Sequence, residues 1–241
     1  MKRPSFWPGS DRRAQLVGFA EGLLWAIGVG GLLAAGWMWL DGAWYQRRAD
    51  ADLRARWQQE RGAILESAGA GGERLPPELD AARRSRSRGD GESAWRPPAA
   101  GTPLARISVP RLGLEAVVAA GVDQRVLRRA VGHLPRSSLP GEDGNVVLAG
   151  HRDTFFRPLE QIRDDDIVLI ETAGGVDRYR VEWTAVVKPS RVDLVAATGY
   201  PALTLVTCFP FEYVGNAPFR FVLRARRLED GEVAGRASSS G

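Results

Sequence analysis

The chain has 241 residues, 44% of them hydrophobic, which supports one substantial core with appendages and excludes two independent ones. Its formal charge of +4 is carried almost wholly by arginine, lysine occurring only at Lys2 and Lys188, and without aromatic–basic interleaving no nucleic-acid partner is expected. A single cysteine excludes an internal disulfide framework and leaves that thiol as either an inert buried group or a nucleophile.

In residues 1–15, Lys2, Arg3, Arg12 and Arg13 only favour a cytoplasmic N-terminus. From Leu16 to Leu40 only Glu21 is charged, and Gly22 to Leu40 is an uninterrupted run of 19 residues, close to the roughly 20 that cross a bilayer. Glu21 lies near the start of the span, where a carboxylate reaches the headgroups. A cleaved signal peptide is the rival reading, but its apolar core usually runs only about 7 to 15 residues, and no clear small-x-small site precedes a mature start. Residues 16–40 are therefore expected to anchor the chain in a lipid bilayer. Trp37, Trp39, Trp44 and Tyr45 crowd the far end as amphipathic rings do at a membrane interface. Orientation stays open at this point, because Arg47, Arg48, Arg54 and Arg56 balance the basic residues upstream. Gly18, Gly22, Ala26, Gly30 and Ala34 recur every four residues, the pattern of a weak helix–helix homodimer or a coincidence of a Gly- and Ala-rich chain.

Residues 41–103 read as a juxtamembrane helix and a flexible linker. Trp44 to Ser67 is helical and charged, whereas Ala68 to Pro103 is rich in Gly, Pro, Ser and Arg without apolar periodicity. The Arg83, Arg84, Arg86, Arg88 cluster there reads as solvated linker more readily than as a lipid contact. Residues 104–227 read as one mostly β domain. In Tyr179, Val181, Trp183, Ala185 and Val187 apolar residues alternate with Arg178, Arg180, Glu182 and Thr184, the period of a half-buried strand. Further strands are expected at Ala105–Val109, Leu114–Ala119, Asn145–Gly150, Ile167–Thr172, Ala202–Cys208 and Phe219–Arg226. Asp123 and Asp153 read as N-caps of short helices, the second running through Phe156 to Ile162 with Pro158 near its start. So many short strands point to a small closed or nearly closed barrel. Residues 228–241 are expected to be a disordered tail.

Three reactive side chains fall at the ends of expected strands: His151 after NVVLAG, Cys208 at the end of ALTLVT, and Arg220 entering the last strand. A cysteine nucleophile needs a nearby imidazole or cation to raise its thiolate fraction, and the same imidazole can then protonate a leaving amine. A guanidinium, always charged and bearing several donors, suits the oxyanion formed by attack on an amide. Taken singly, each residue is ambiguous, since a lone Cys is more often structural and a lone Arg more often a surface charge.

The wording of the segments decides between these readings. TLVTCFPF (Thr204 to Phe211), with Arg220 twelve residues after Cys208 in NAPFRFVLRA, resembles the TLxTC signature and following arginine strand of sortases. GNVVLAGHRDTFFRPL (Gly144 to Leu159) resembles the histidine segment of that family, AVGHLPRSSLPGE (Ala130 to Glu142) the segment upstream, and RISVPRLGLEAVV the opening strands. The likeness runs over Ala105 to Arg227 in the right order and points to the class D group. It implies an eight-stranded sortase β-barrel with short helices behind one N-terminal transmembrane helix, the N-terminus inside the cytoplasmic membrane and the catalytic domain outside. It also implies a cysteine transpeptidase that needs no cofactor, with Cys208 as nucleophile, His151 as general acid/base and Arg220 as transition-state stabiliser. The expected substrates are secreted proteins with C-terminal LPxTG-like sorting signals, cleaved after Thr through a thioester. The acceptor is an amine of the cell envelope or of a pilin. Thr207 matches the second Thr of the signature and is a candidate to hydrogen-bond the substrate, or merely a β-branched strand residue. His133 is the rival base and otherwise a substrate-binding candidate, but it sits in a turn-rich stretch and not directly after an expected strand. Asp153 is an alternative orienting acid for His151, although an N-cap role suits it better. The family usually has Gly-Thr where this chain has Arg136 and Ser137.

Two other classes fit the sequence less well. An L,D-transpeptidase would carry His-Gly directly before its cysteine, where this chain has Val206 and Thr207, and papain-like peptidases place Cys before His. A non-catalytic envelope-binding barrel would leave the Cys, His and Arg scattered. A metal site is not expected, since one Cys and two distant His lack ligand spacing.

Overall fold

The computed structural model describes residues 10–69, 98–213 and 215–229. Most of the expected linker, the first nine residues and the tail from 230 onward lie outside the described residues. The chain forms two compact units that part between Trp44 and Tyr45.

A single helix, α1, runs from Ser10 to Gly69. Its portion in the first unit leaves Leu16, Phe19, Leu24, Trp25, Leu32 and Trp37 exposed. Among the described residues it is the one helix long and apolar enough to cross a membrane.

In the second unit α1 is no bare connector. Tyr45, Ala49, Leu53 and Trp57 recur every four residues and so share one helix face. Ala49, Leu53 and Trp57 are buried against Val117, with Tyr45 packed beside them. Gln46 binds in both directions, donating from Nε2 to the Arg129 carbonyl at 2.6 Å and accepting from the Val117 amide at 2.8 Å. The Tyr45 hydroxyl donates to the carbonyl of Gly101, and Asp50 pairs with Arg106 at 3.1 Å.

Eight strands close into a barrel: β1 (Pro103–Val109), β2 (Leu114–Ala120), β3 (Val131–His133), β4 (Asn145–Ala149), β5 (Ile167–Thr172), β6 (Gly175–Val187), β7 (Ala202–Phe209) and β8 (Phe219–Arg227). Their order around the ring is β1-β2-β3-β4-β7-β8-β6-β5. Two pairings are parallel, β2 with β3 and β4 with β7; the rest are antiparallel. The interior is filled by alternate residues, including Ile107, Val118, Leu148, Ile170, Tyr179, Leu203, Leu205 and Leu223.

The strands match the apolar alternation with two differences. β3 was not among the expected strands, because three residues with Gly132 at the centre carry no readable period. The alternation along β6 breaks at a bulge: Val181 faces Ala225 but Trp183 faces Arg224, so one extra residue shifts the phase. Tyr179 and Val181 therefore join the core while Trp183 leaves it to meet the guanidinium of Arg224. Asp123 caps helix α2 (Gln124–Leu127), accepting from the amides of Arg125 and Val126. Asp153 does not cap the second short helix. That element is a 3-10 turn at Arg157–Gln161 entered through Phe156 without a side-chain cap, Pro158 fixing its first turn three residues further on than a cap at 153 requires.

Candidate active site

β7 carries Cys208, and its two neighbours in the ring carry the other two candidates. On one side Cys208 lies directly opposite Arg220 in the antiparallel β7–β8 ladder. Directly opposed residues point to the same face, with Cβ atoms about 4.5 to 5.5 Å apart. That face is the outer one, since Leu203, Leu205 and Phe209, of the opposite parity, pack on the core.

On the other side, the parallel β4–β7 register runs from Asn145 opposite Ala202 to Ala149 opposite Val206. Two residues further along each chain stand His151 and Cys208. The pairing persists beyond the ladder, because the Gly150 amide donates to the Val206 carbonyl at 3.2 Å and the Thr207 hydroxyl to the Gly150 carbonyl at 2.7 Å. His151 is thus brought level with Cys208 by a non-consecutive parallel pairing. Position 150 must be glycine: a Cβ there would sit 2.8 Å from the Phe156 ring, which is itself fully buried. The Phe156 amide in turn donates to the His151 carbonyl, closing the turn that follows the histidine.

The remaining candidates take other places. Thr207 is buried, and its hydroxyl proton is committed to Gly150, so it ties β7 to the residue before His151. His133 is 3% exposed and faces Leu148, three residues short of His151 along β4. Its Nε2 donates to the Ser138 carbonyl at 2.9 Å and lies 3.0 Å from the Ser137 hydroxyl. Burial pushes the His133 imidazole below its ordinary range, opposed by the Ser138 carbonyl and the nearby Glu142 carboxylate. The imidazole thereby ties the end of β3 to Ser137 and Ser138 in the turn that follows. Asp153 is exposed.

The turn after His133 also explains the departure from the family's Gly-Thr. Arg136 adopts φ 71, the left-handed conformation that glycine takes most easily. Ser137 keeps the hydroxyl, which donates to the Leu134 carbonyl and accepts from the Val147 amide. Arg136 holds that conformation under strain.

Two arginines in the His151 segment, Arg152 and Arg157, carry contacts that nothing in the sequence marks. Both reach backbone carbonyls of the loop between β7 and β8.

Comparison with known proteins agrees with this fold. Residues 107–228 match the family model described as the sortase domain. Sortase D of Bacillus subtilis (strain 168) is 29% identical over 154 residues, covering 64% of this chain and 77% of that protein. Among solved structures, sortase C-1 from Actinomyces oris is 25% identical, with a TM-score of 0.50 over 73% of this chain and 99% of its own. The pilus-related sortase C of Group B Streptococcus shares the fold, at 23% identity and a TM-score of 0.50 over 72% of this chain and 91% of its own. A domain match over half the chain, on a closed eight-stranded barrel with its single cysteine on β7, means that this chain belongs to the sortase family of cysteine transpeptidases.

Proposed function

We propose that the chain is a membrane-anchored sortase of the class D type that cleaves an LPxTG-like sorting signal after its Thr and joins the new C-terminus to an amine. The observation that carries this reading is the cross-strand pairing of Cys208 with Arg220, with His151 level on the far side of β7. The Cys208 thiolate attacks the Thr carbonyl carbon, forming the C–S bond and a tetrahedral oxyanion. Arg220 donates to that oxyanion from Nε and Nη2, while its two loop bonds both come from Nη1. As the C–N bond breaks, His151 gives its proton to the departing amine, leaving a thioester on Cys208. An acceptor amine from the cell envelope or a pilin then attacks the thioester. His151 takes back a proton, and the thiolate leaves as the new amide forms. Thr207 and Gly150 act behind this pair by holding β4 and β7 together next to His151.

The apolar part of α1 serves as a single-pass anchor, with the N-terminus inside and the barrel outside the cytoplasmic membrane. Its length, its composition and the tryptophans at its far end support that reading.

The test incubates the detergent-solubilised full chain with a library of sorting peptides and several amines and reads product masses. Cys208→Ala and His151→Ala are expected to abolish transfer, and Arg220→Ala to lower it about 10²-fold. Transfer by Cys208→Ala at the wild-type rate would sink the mechanism.

A further inference from the structure

Three guanidinium groups converge on the loop that joins Cys208 to Arg220. Arg157 donates from Nη1 to the carbonyl of Phe211 at 2.9 Å. Arg152 donates from Nη2 to the carbonyls of Tyr213 at 2.5 Å and Gly215 at 3.0 Å. Arg220 donates from Nη1 to the carbonyls of Ala217 at 3.2 Å and Phe219 at 2.9 Å. Every second carbonyl from 211 to 219 therefore accepts from an arginine. Two of the donors stand in the segment that begins with His151, one of them its immediate neighbour. The third is the arginine opposite Cys208.

Carbonyls that accept from a charged, planar donor are held more firmly than carbonyls facing water, and the rigid fork of a guanidinium also fixes direction. Arg152 is committed to this contact: its guanidinium lies 5.7 Å from the Tyr213 ring centroid, and its Nη1 is buried with no hydrogen-bond partner among the described residues. The carbonyls that orient Arg220 lie two and four residues beyond the Gly215 carbonyl that Arg152 holds. The loop's course at one pair thus limits its course at the next.

We propose that Arg152 is a positioning residue for the transpeptidation: by bridging the Tyr213 and Gly215 carbonyls it fixes the loop whose Ala217 and Phe219 carbonyls aim the Arg220 guanidinium at the reacting centre beside Cys208. Its kinetic consequence rests on the function proposed above; its structural consequence does not. In this role Arg152 bonds to backbone alone, so its loss misplaces a donor without removing a binding group. The effect belongs in kcat and not in KM.

The experiment compares the detergent-solubilised full chain with Arg152→Ala and Arg152→Lys, using steady-state transfer of a sorting peptide and hydrogen–deuterium exchange of the amides between Cys208 and Arg220. Arg152→Ala is expected to lower kcat about 10- to 100-fold with KM within about twofold, and to speed exchange in this loop while β4 and β7 keep their wild-type rates. Lysine retains the charge but lacks the planar guanidinium that lies against the Tyr213 ring and carries Nη2 to both carbonyls, so Arg152→Lys is expected to recover only a minor part of kcat. It also serves if the alanine variant does not fold. A wild-type kcat in Arg152→Ala, a loss confined to KM, full recovery by lysine, or unchanged loop exchange would each overturn the proposal. Should the wild-type chain transfer no peptide, the function proposed above fails, and the exchange rates alone decide whether Arg152 holds the loop.

Discussion

Replacing Leu53 by Ala tests whether the helix beyond the apolar span is part of the folded domain or only a connector. Leu53 is 3% exposed and packs with Ala49 and Trp57 on Val117, which is 2% exposed. Buried Leu→Ala changes cost about 2 to 5 kcal/mol, the lower end applying where neighbours can collapse into the space. The docking face is bordered by solvent, so about 2 to 3 kcal/mol is expected. Val117→Ala removes the facing methyl groups and should cost about 1.5 kcal/mol at about 0.8 per buried methylene equivalent. Because each residue is the other's packing partner, the double variant should cost less than the sum by about 0.5 to 1 kcal/mol. Urea unfolding of the detergent-solubilised full chain, followed by tryptophan fluorescence, gives all four corners of the cycle. A connector helix would leave Leu53→Ala within about 0.5 kcal/mol of wild type. That result, or additivity within about 0.3 kcal/mol, would refute the docking argument.

Two further outcomes concern the turn after β3. Burial holds the His133 imidazole below its ordinary value of 6.5, so the unfolded chain binds the proton more readily than the folded one. The resulting stability is complete above about pH 6.5 and falls as the pH drops through and below it. Urea midpoints at pH 7.5 and 5.0 should therefore differ more for the wild type than for His133→Gln; equal differences would show that His133 is not held neutral. Arg136 at φ 71 bears a left-handed penalty of about 1 to 2 kcal/mol, offset in Arg136→Gly by the looser unfolded chain at about 0.4 to 1 kcal/mol. A net gain of about 0.5 to 1 kcal/mol is expected as a raised Tm, and a lowered Tm would show that the arginine side chain earns its place by contacts.

Much of the barrel was legible because one face of each longer strand meets an apolar interior, and period two survives wherever the pleat is regular. It failed where the pleat is not regular. Trp183 was expected to share the face of Tyr179 and Val181, yet the bulge before it turns it outward to Arg224. β3 is too short to show a period, and Gly132 lacks a side chain: a Cβ there would lie 2.4 Å from the Gly121 carbonyl. The stripe Tyr45, Ala49, Leu53, Trp57 was present in the sequence but hidden among charged neighbours. Its meaning depends on Val117, about sixty residues away. For the candidate site, the spacing of Cys208 and Arg220 is that of two strands joined by a short loop, which is local and readable. The level placement of His151 depends on β4 lying beside β7, with β5 and β6 intervening in the chain but not in the ring. No local pattern encodes that adjacency. Nor did any pattern foretell that Thr207 would bond the backbone before His151, or that Arg152 and Arg157 would reach across to the loop beyond Cys208.

The closure of the ring bears on how such a protein can take hold of an extended peptide. Each of the eight strands has a neighbour on both sides, β1 and β5 completing the circuit, so no strand is an edge strand along its whole length. The long free edge on which open sheets often take up a guest peptide as an added strand is thus missing. On the function proposed above, recognition of a sorting peptide then falls to side chains and connecting loops on the outer face. Those loops can diverge between relatives while the ladder that aligns β4, β7 and β8 stays fixed, so a change of clientele need not disturb the alignment on which the chemistry depends. The same absence of a free edge protects a β-rich domain from joining copies of itself into larger sheets.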